Sequence, residues 1–173
     1  MTNIYLTGYR CSGKTRVGKL LAKRLGLPFA DTDLILEKNE SKSVADIISE
    51  SGWEAFRAME RDAVRKLTQK KGLVAATGGG AILDDKNVSD MKKSGRLIWL
   101  KASPETVKKR MKNDKRTKEL RPSLTGVGAL SEAEDIIEKR NPLYRKARDI
   151  SVETDGADAE EVADTILKRL RNL

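Results

Sequence analysis

The chain has 173 residues, 38% of them hydrophobic, which suits one domain built round a single substantial core. No run approaches the roughly 18 consecutive apolar residues of a membrane span, and the only cysteine, Cys11, excludes an intrachain disulfide. The net charge is +9 and there is no histidine, so a proton acceptor working near neutral pH must be a carboxylate, a lysine or a water.

The first strand is predicted over residues 3–7. Met1-Thr2-Asn3 run into it at once, so no signal or transit peptide is expected; with the lone cysteine this points to a reducing cytoplasm. The strand leads directly into GYRCSGKT at 8–15, whose Gly8-x-x-x-x-Gly13-Lys14-Thr15 spacing fits a phosphate-binding loop. Glycines allow the tight turn that aims successive N–H groups at an anion, and the following helix adds its positive N-terminal end. In such a loop Lys14 reaches the β- and γ-phosphates and the Thr15 hydroxyl is a Mg²⁺ ligand. A chance match in a glycine-containing turn is the plain alternative. The preceding strand, and Val17, Leu20, Leu21 and Leu25 at helical spacing after it, argue against that. The expected ligand is ATP or GTP, and Cys11 reads as a spacer in the loop, not a nucleophile.

A second strand over 28–31 runs into Asp31-Thr32-Asp33. Two carboxylates two residues apart can point differently, one serving Mg²⁺ and the other a substrate hydroxyl. The plainer reading is an acidic helix start that answers the dipole. Ser43 with Asp46 resembles a capping box, and a helix over 53–71 carries Phe56, Met59, Ala63, Val64 and Leu67 on one face. The third strand, 73–77, precedes Gly78-Gly79-Gly80, which suggests close approach of a ligand to the backbone, with a plain turn as the alternative. Gly26, Gly72 and Gly95 stand where helices should stop. After the fourth strand, 96–100, Ser103-Pro104 reads as an N-cap and first helical residue. Ser131 with Glu134 and Asp158 with Glu161 resemble further capping boxes, and Pro142 predicts a kink near residue 140. The fifth strand spans 149–153 and the last helix 159–171.

Residues 112–127 mix charges with Pro122 and Gly126 and show weak periodicity, so they are read as a loop or mobile lid. From Lys108 to Arg121 the sequence carries eight basic residues against Asp114 and Glu119, a local +6. Aromatics make up 4% of the chain and none lies in this stretch, so no base-stacking surface is apparent. A basic flap over a polyphosphate accounts for the cluster at least as well as a nucleic-acid patch or a merely solvated segment.

Strands alternating with helices predict a parallel α/β sheet, whose ligands bind beyond the carboxyl ends of the strands. The phosphate loop, Asp31-Thr32-Asp33 and the triple glycine should therefore converge on one edge. Arg57 follows Phe56, Arg121 precedes Pro122 and Arg140 precedes Asn141-Pro142, so each of these arginines adjoins a structural landmark.

GYRCSGKT, DTD at 31–33, FRAME at 56–60, ATGGGA at 76–81, RPSLTG at 121–126 and KRNPLYR at 139–145 together resemble shikimate kinase over nearly the whole chain. The resemblance implies a single domain over residues 1–173. Its fold would be the three-layer α/β P-loop kinase fold, a five-stranded parallel sheet flanked by helices with a lid at about 112–127. It implies phosphate transfer from ATP, with Mg²⁺, to the 3-hydroxyl of shikimate. Lys14 then matches the catalytic loop lysine, and Gly8, Arg10, Cys11, Ser12, Gly13, Thr15 and Arg16 fall at the nucleotide. Thr15 and Asp31 match the metal site, and Asp33 the carboxylate that holds the hydroxyl and accepts its proton. Arg57 and Arg140 match the arginines for the shikimate carboxylate, Glu60 the carboxylate that orients Arg57, and Gly78, Gly79 and Gly80 the strip lining the substrate. Arg110 matches an arginine near the adenine, and Arg121 the catalytic lid arginine that reaches both substrates. The family often has Leu after Arg-Pro, where this chain has Ser123. Its lid is also longer and richer in lysine, with Arg116 as a second cation, so which of Arg116, Lys118 and Arg121 meets the nucleotide stays open.

Two rival readings remain. Another small-molecule P-loop kinase could act on gluconate or a nucleotide. Asp-Thr-Asp with Arg57 and Arg140 favours a carboxylated polyol over a nucleotide, but gluconate shares that description. A nucleotide-binding regulator that holds nucleic acid through the basic segment is the other. The expectation is a small-molecule substrate, no nucleic acid or membrane partner, and a monomer.

Overall fold

The computed structural model describes residues 2–114, 123–124 and 128–172. Arg116, Lys118 and Arg121, and most of the expected lid, lie outside the described residues.

Strands β1 (Asn3–Thr7), β2 (Phe29–Asp31), β3 (Val74–Ala76), β4 (Gly95–Lys101) and β5 (Ile150–Glu153) form one parallel sheet in the order β2-β3-β1-β4-β5. Each predicted strand is present, with its ends moved by at most a residue or two. Strand alternation sends Ile4, Leu6, Ile98 and Leu100 to one face of the sheet. There they meet Val17 and Leu21 of α1 (Lys14–Leu25), and Val162 and Ile166 of a helix near the C-terminus. Tyr5, Leu97 and Trp99 point to the other face and pack with Val64, Leu67, Met91 and Tyr144. The result is a three-layer sandwich with apolar surface buried on both sides of the sheet.

Helix α2 (Thr32–Glu40) starts where β2 ends. Helix α3 (Val44–Thr68) opens on the expected box, in which the Ser43 hydroxyl accepts from the Asp46 N–H and the Asp46 carboxylate accepts from the Ser43 N–H. Gly52, at φ 79, is non-helical and divides it, so the arm after it starts at 53 as expected and ends at Thr68, short of 71. Helix α4 (Asp85–Ser94) leads into β4, and α5 (Pro104–Asn113) is capped by Ser103 as expected. The C-terminal helix α7 (Ala159–Leu170) has its Asp158–Glu161 box.

Two local expectations, a Ser131–Glu134 cap box and a helix stop at Gly72, are corrected. Helix α6 (Ala133–Ala147) is not capped by a Ser131–Glu134 box. Glu132 is the cap residue, the Ser131 hydroxyl donates to the Gly128 carbonyl, and Glu134 instead pairs with Lys108 at 2.8 Å. The Glu132 side chain is buried and accepts from the Ser123 hydroxyl and the Leu124 N–H, both at 2.7 Å, which gives the unusual Ser123 a partner. Pro142 lies inside α6, which runs on to Ala147. Gly26 is a left-handed cap, but Gly72 lies beyond the end of α3, in the turn before β3. Gly95 does cap α4, its N–H donating to the Met91 carbonyl, and it is also extended, with β1 passing too close for a side chain.

Gly95→Ala would put a Cβ 2.3 Å from the Asn3 carbonyl oxygen, at the β1–β4 seam. Overpacking of this kind costs about 1–3 kcal/mol, and each kcal/mol lowers Tm by about 2–4 °C in a chain of this size. Thermal unfolding followed by circular dichroism should register that loss. An unchanged Tm would mean that the seam opens freely.

Candidate active site

The carboxyl ends of β1, β2 and β3 deliver three loops to one cavity of about 820 Å³. In the first loop Gly8 has φ 144, and a Cβ there would meet the Leu100 carbonyl oxygen at 2.5 Å. Cys11 also has positive φ, at 59. Gly13, at φ 96, caps α1 without a side-chain bond, and no acidic residue stands in the first turn of that helix. The N-terminal amides of α1 therefore meet the cavity with their positive dipole end, with no acidic residue of the helix's own first turn beside them. Lys14 Nζ arches back over the loop to donate to the Gly8 and Tyr9 carbonyl oxygens, each at 2.8 Å. Arg10 and Arg16 also line the cavity, while Ser12 is buried with its hydroxyl unpartnered among the described residues. The Cys11 thiol donates to Asp114 at 3.5 Å and its carbonyl accepts from Arg110, which fits a spacer.

Asp31-Thr32-Asp33 divides its work three ways. Asp31 Oδ1 accepts the Asp33 and Leu34 N–H groups and so caps α2, while Oδ2 accepts the Thr15 hydroxyl at 2.7 Å. Asp31 is thus a helix cap, as the plainer reading expects, and also the hydrogen-bond partner of Thr15. The Thr32 hydroxyl accepts the Gly78 N–H at 2.8 Å, tying β2 to the glycine strip. Asp33 faces the cavity from the first turn of α2.

The three glycines are explained by what presses against them. A Cβ on Gly78 would lie 2.3 Å from Glu60 Oε1 and 2.9 Å from Asp33 Oδ1, and one on Gly80 would lie 2.4 Å from the Arg57 guanidinium. The Arg57 guanidinium pairs with Glu60 Oε2 at 2.6 Å and sits 5.3 Å from the ring centres of Trp53 and Phe56. Arg140 reaches the Gly79 carbonyl at 3.3 Å from the opposite wall. Glu60 is buried, and its Oε1 has no partner among the described residues. Burial pushes its carboxyl above the ordinary carboxylate range, against the pull of Arg57.

At the far end Arg110 donates to the Thr154 carbonyl at 2.6 Å, and Thr106, Lys109, Asn113 and Asp114 complete the wall. The described site residues expected from the sequence thus share one cavity or its immediate supports. Sequence reasoning missed that far wall and Trp53. It also missed Tyr144, whose hydroxyl donates to the Gly79 carbonyl at 2.6 Å. In sequence Tyr144 and Trp53 look like core positions of amphipathic helices, and only their neighbours in space give them another role.

The family profile described as shikimate kinase matches residues 10–171. A shikimate kinase of Syntrophus aciditrophicus is 40% identical over 98% of this chain and 91% of its own length. Among solved structures, shikimate kinase from Acinetobacter baumannii in complex with shikimate superposes with a TM-score of 0.92 at 34% identity, covering 99% of this chain and 94% of that one. A gluconokinase from Sinorhizobium meliloti shares the fold more distantly, with a TM-score of 0.61 at 18% identity over 99% of this chain and 92% of that one.

The raised Glu60 carboxyl has a consequence for stability. The folded state holds that proton more tightly than the unfolded state, whose ordinary value is 4.5. Its contribution is therefore complete below about pH 4.5 and is lost as pH rises through the higher folded value. The stability of the wild type relative to Glu60→Gln, which cannot ionise, should fall as pH rises from 4.5 towards 7, by at most about 1.4 kcal/mol per pH unit. Urea unfolding of both proteins across that range gives the difference. A constant difference would show Glu60 ionising as readily in the folded protein as in the unfolded one.

Proposed function

The chain belongs to the shikimate kinase family, and on that premise we propose that its cavity transfers the γ-phosphoryl group of ATP to the 3-hydroxyl of shikimate, giving shikimate 3-phosphate and ADP. The observation that carries the reading is the shared cavity. A phosphate loop and a chamber of two arginines and two carboxylates meet across Gly79, whose Cβ would lie 3.2 Å from the Gly8 carbonyl oxygen.

In this reading the loop amides and the N-terminus of α1 cradle the phosphates, and Lys14 moves from the loop carbonyls to the β- and γ-phosphates. Arg110 and the far wall take the nucleobase. Arg57 and Arg140 bind the shikimate carboxylate, which planar guanidinium groups can pair bidentately. Glu60 and the two aromatic rings keep Arg57 in place, and the missing Cβ atoms of Gly78 and Gly80 let Glu60, Asp33 and Arg57 sit against the strip. Asp33 accepts the proton of the 3-hydroxyl as that oxygen attacks the γ-phosphorus. The bond from phosphorus to the β–γ bridging oxygen breaks, and its electrons leave with ADP.

The Thr15 hydroxyl and Asp31 carboxylate, 2.7 Å apart, are hard oxygen donors of the kind Mg²⁺ prefers. No cluster of three or more His, Cys, Asp or Glu side chains forms a metal cage among the described residues. That suits a Mg²⁺ ion held by one or two protein groups together with substrate phosphates and water. When bound there, Mg²⁺ neutralises charge on the β- and γ-phosphates.

The purified protein should release ADP from Mg·ATP only when shikimate is added, and mass spectrometry should find shikimate 3-phosphate. Turnover with gluconate or AMP equal to that with shikimate would replace the reading with a different kinase. Within the same assay, Asp33→Asn should lower kcat by roughly 10²–10⁴-fold while leaving the affinity for Mg·ATP near wild type. A variant that kept its kcat and lost nucleotide would move Asp33 from the acceptor hydroxyl to the metal.

A further inference from the structure

The sheet hydrogen bonds that join β1 to β3 stop at the edge of the cavity, where the Thr77 N–H donates to the Leu6 carbonyl at 3.0 Å. Beyond that point the loop after β1 and the loop after β3 run separately. Their spacing sets the distance between the transferring phosphate and its acceptor, so something other than the sheet must fix it.

Gly79 is where the two loops touch. On one side its Cβ position is 3.2 Å from the Gly8 carbonyl oxygen and 3.6 Å from the Arg10 nitrogen, both in the phosphate loop. On the other, its own carbonyl accepts the Tyr144 hydroxyl at 2.6 Å and, more loosely, Arg140 at 3.3 Å. Tyr144 is 1% exposed. Its ring stacks on Trp99 with centroids 5.6 Å apart and 16° between planes. Trp99 in turn pairs in register with Thr7, the residue before the phosphate loop. The phenol is thus anchored to the strand beside β1, and its hydroxyl holds Gly79, where the two loops approach each other. Burial pushes the Tyr144 hydroxyl well above its ordinary value, so it stays a hydrogen-bond donor wherever the protein is folded.

We propose that Tyr144 is a positioning residue for phosphoryl transfer: by holding the Gly79 carbonyl, its hydroxyl fixes the spacing between the phosphate loop and the acceptor strip. It touches neither reactant and acts through the Gly79 peptide. Displacements of about 1 Å at such a point cost about 10²-fold in rate, because in-line transfer depends on the approach distance and angle. Each substrate alone still finds its own half of the cavity. The signature is a loss in rate without a matching loss in binding.

The inference rests on the proposed kinase reading, and the experiment separates the two. Tyr144→Phe keeps the ring and its stack on Trp99 and removes only the hydroxyl. Its kcat should fall by about 10- to 100-fold, with the Kd for Mg·ATP and for shikimate, each titrated alone by calorimetry, within about threefold of wild type. Met91→Ala is the control, a cavity in the same apolar cluster that leaves the Gly79 contact intact, and it should keep wild-type kcat at a temperature where it is fully folded. Wild-type kcat in Tyr144→Phe overturns the proposal. So does a loss of both affinities as large as the loss of kcat, or an equal loss of kcat in Met91→Ala. A wild-type enzyme that releases no ADP with shikimate would instead refute the kinase reading, whatever the variant does.

Discussion

Two parallel strands that end level with one another set the terms for the rest of the molecule. The pairing of Leu6 with Ala76 brings the turn after β1 and the turn after β3 out of the sheet side by side. The Thr77 hydroxyl reinforces that junction by donating to the same Leu6 carbonyl as its own N–H does. A parallel sheet sends all its carboxyl ends to one edge, so β2 contributes its acidic turn beside them. A shift of β3 by one residue would turn the glycine strip away from the phosphate loop and face Thr77 the wrong way. The apolar layers on the two sheet faces hold that register.

Within the cavity, volume is removed as deliberately as charge is added. Glu60, Asp33 and Arg57 crowd against a strip with no side chains, so the charged groups approach the backbone within distances that a Cβ would occupy. This crowding makes Glu60 an unusual residue. It is a buried acid with one oxygen paired to Arg57 and the other unpartnered among the described residues. Such a group is costly in isolation, and cavity-facing charged groups with perturbed proton affinity mark functional sites more often than structural ones.

Much of this was legible in the sequence, for reasons that differ from residue to residue. Gly8, Gly13, Lys14 and Thr15 are dictated by local geometry and chemistry at fixed spacing, so a single chain displays them. The β-rich runs and the capping residues at Ser43, Ser103 and Asp158 are equally local. What escaped depends on partners distant in sequence. Gly95 is the helix stop it reads as, but that β1 also excludes a side chain there is not visible in the sequence. Ser131 has the right neighbours for a cap, but Lys108, 26 residues away from Glu134, takes that carboxylate. Gly52 divides a long helical stretch at a non-helical backbone angle that the Ser43 box and the apolar periodicity do not reveal. Tyr144 and Trp53 carry the apolar signature of core residues, and each does pack; the polar end of one and the ring face of the other are what the linear pattern cannot place.

Asp31 deserves a last look for what it implies about drift over evolutionary time. One carboxylate caps α2 with one oxygen and holds the Thr15 hydroxyl with the other. Any replacement would loosen the start of the helix that carries Asp33 and, at the same stroke, free a side chain of the phosphate loop. Pleiotropy of this kind closes off gradual change: no substitution at Asp31 can adjust one half of the cavity while leaving the other untouched. Arg10 and Arg16 line the same cavity without a cap to maintain, whereas two elements depend on this one acid.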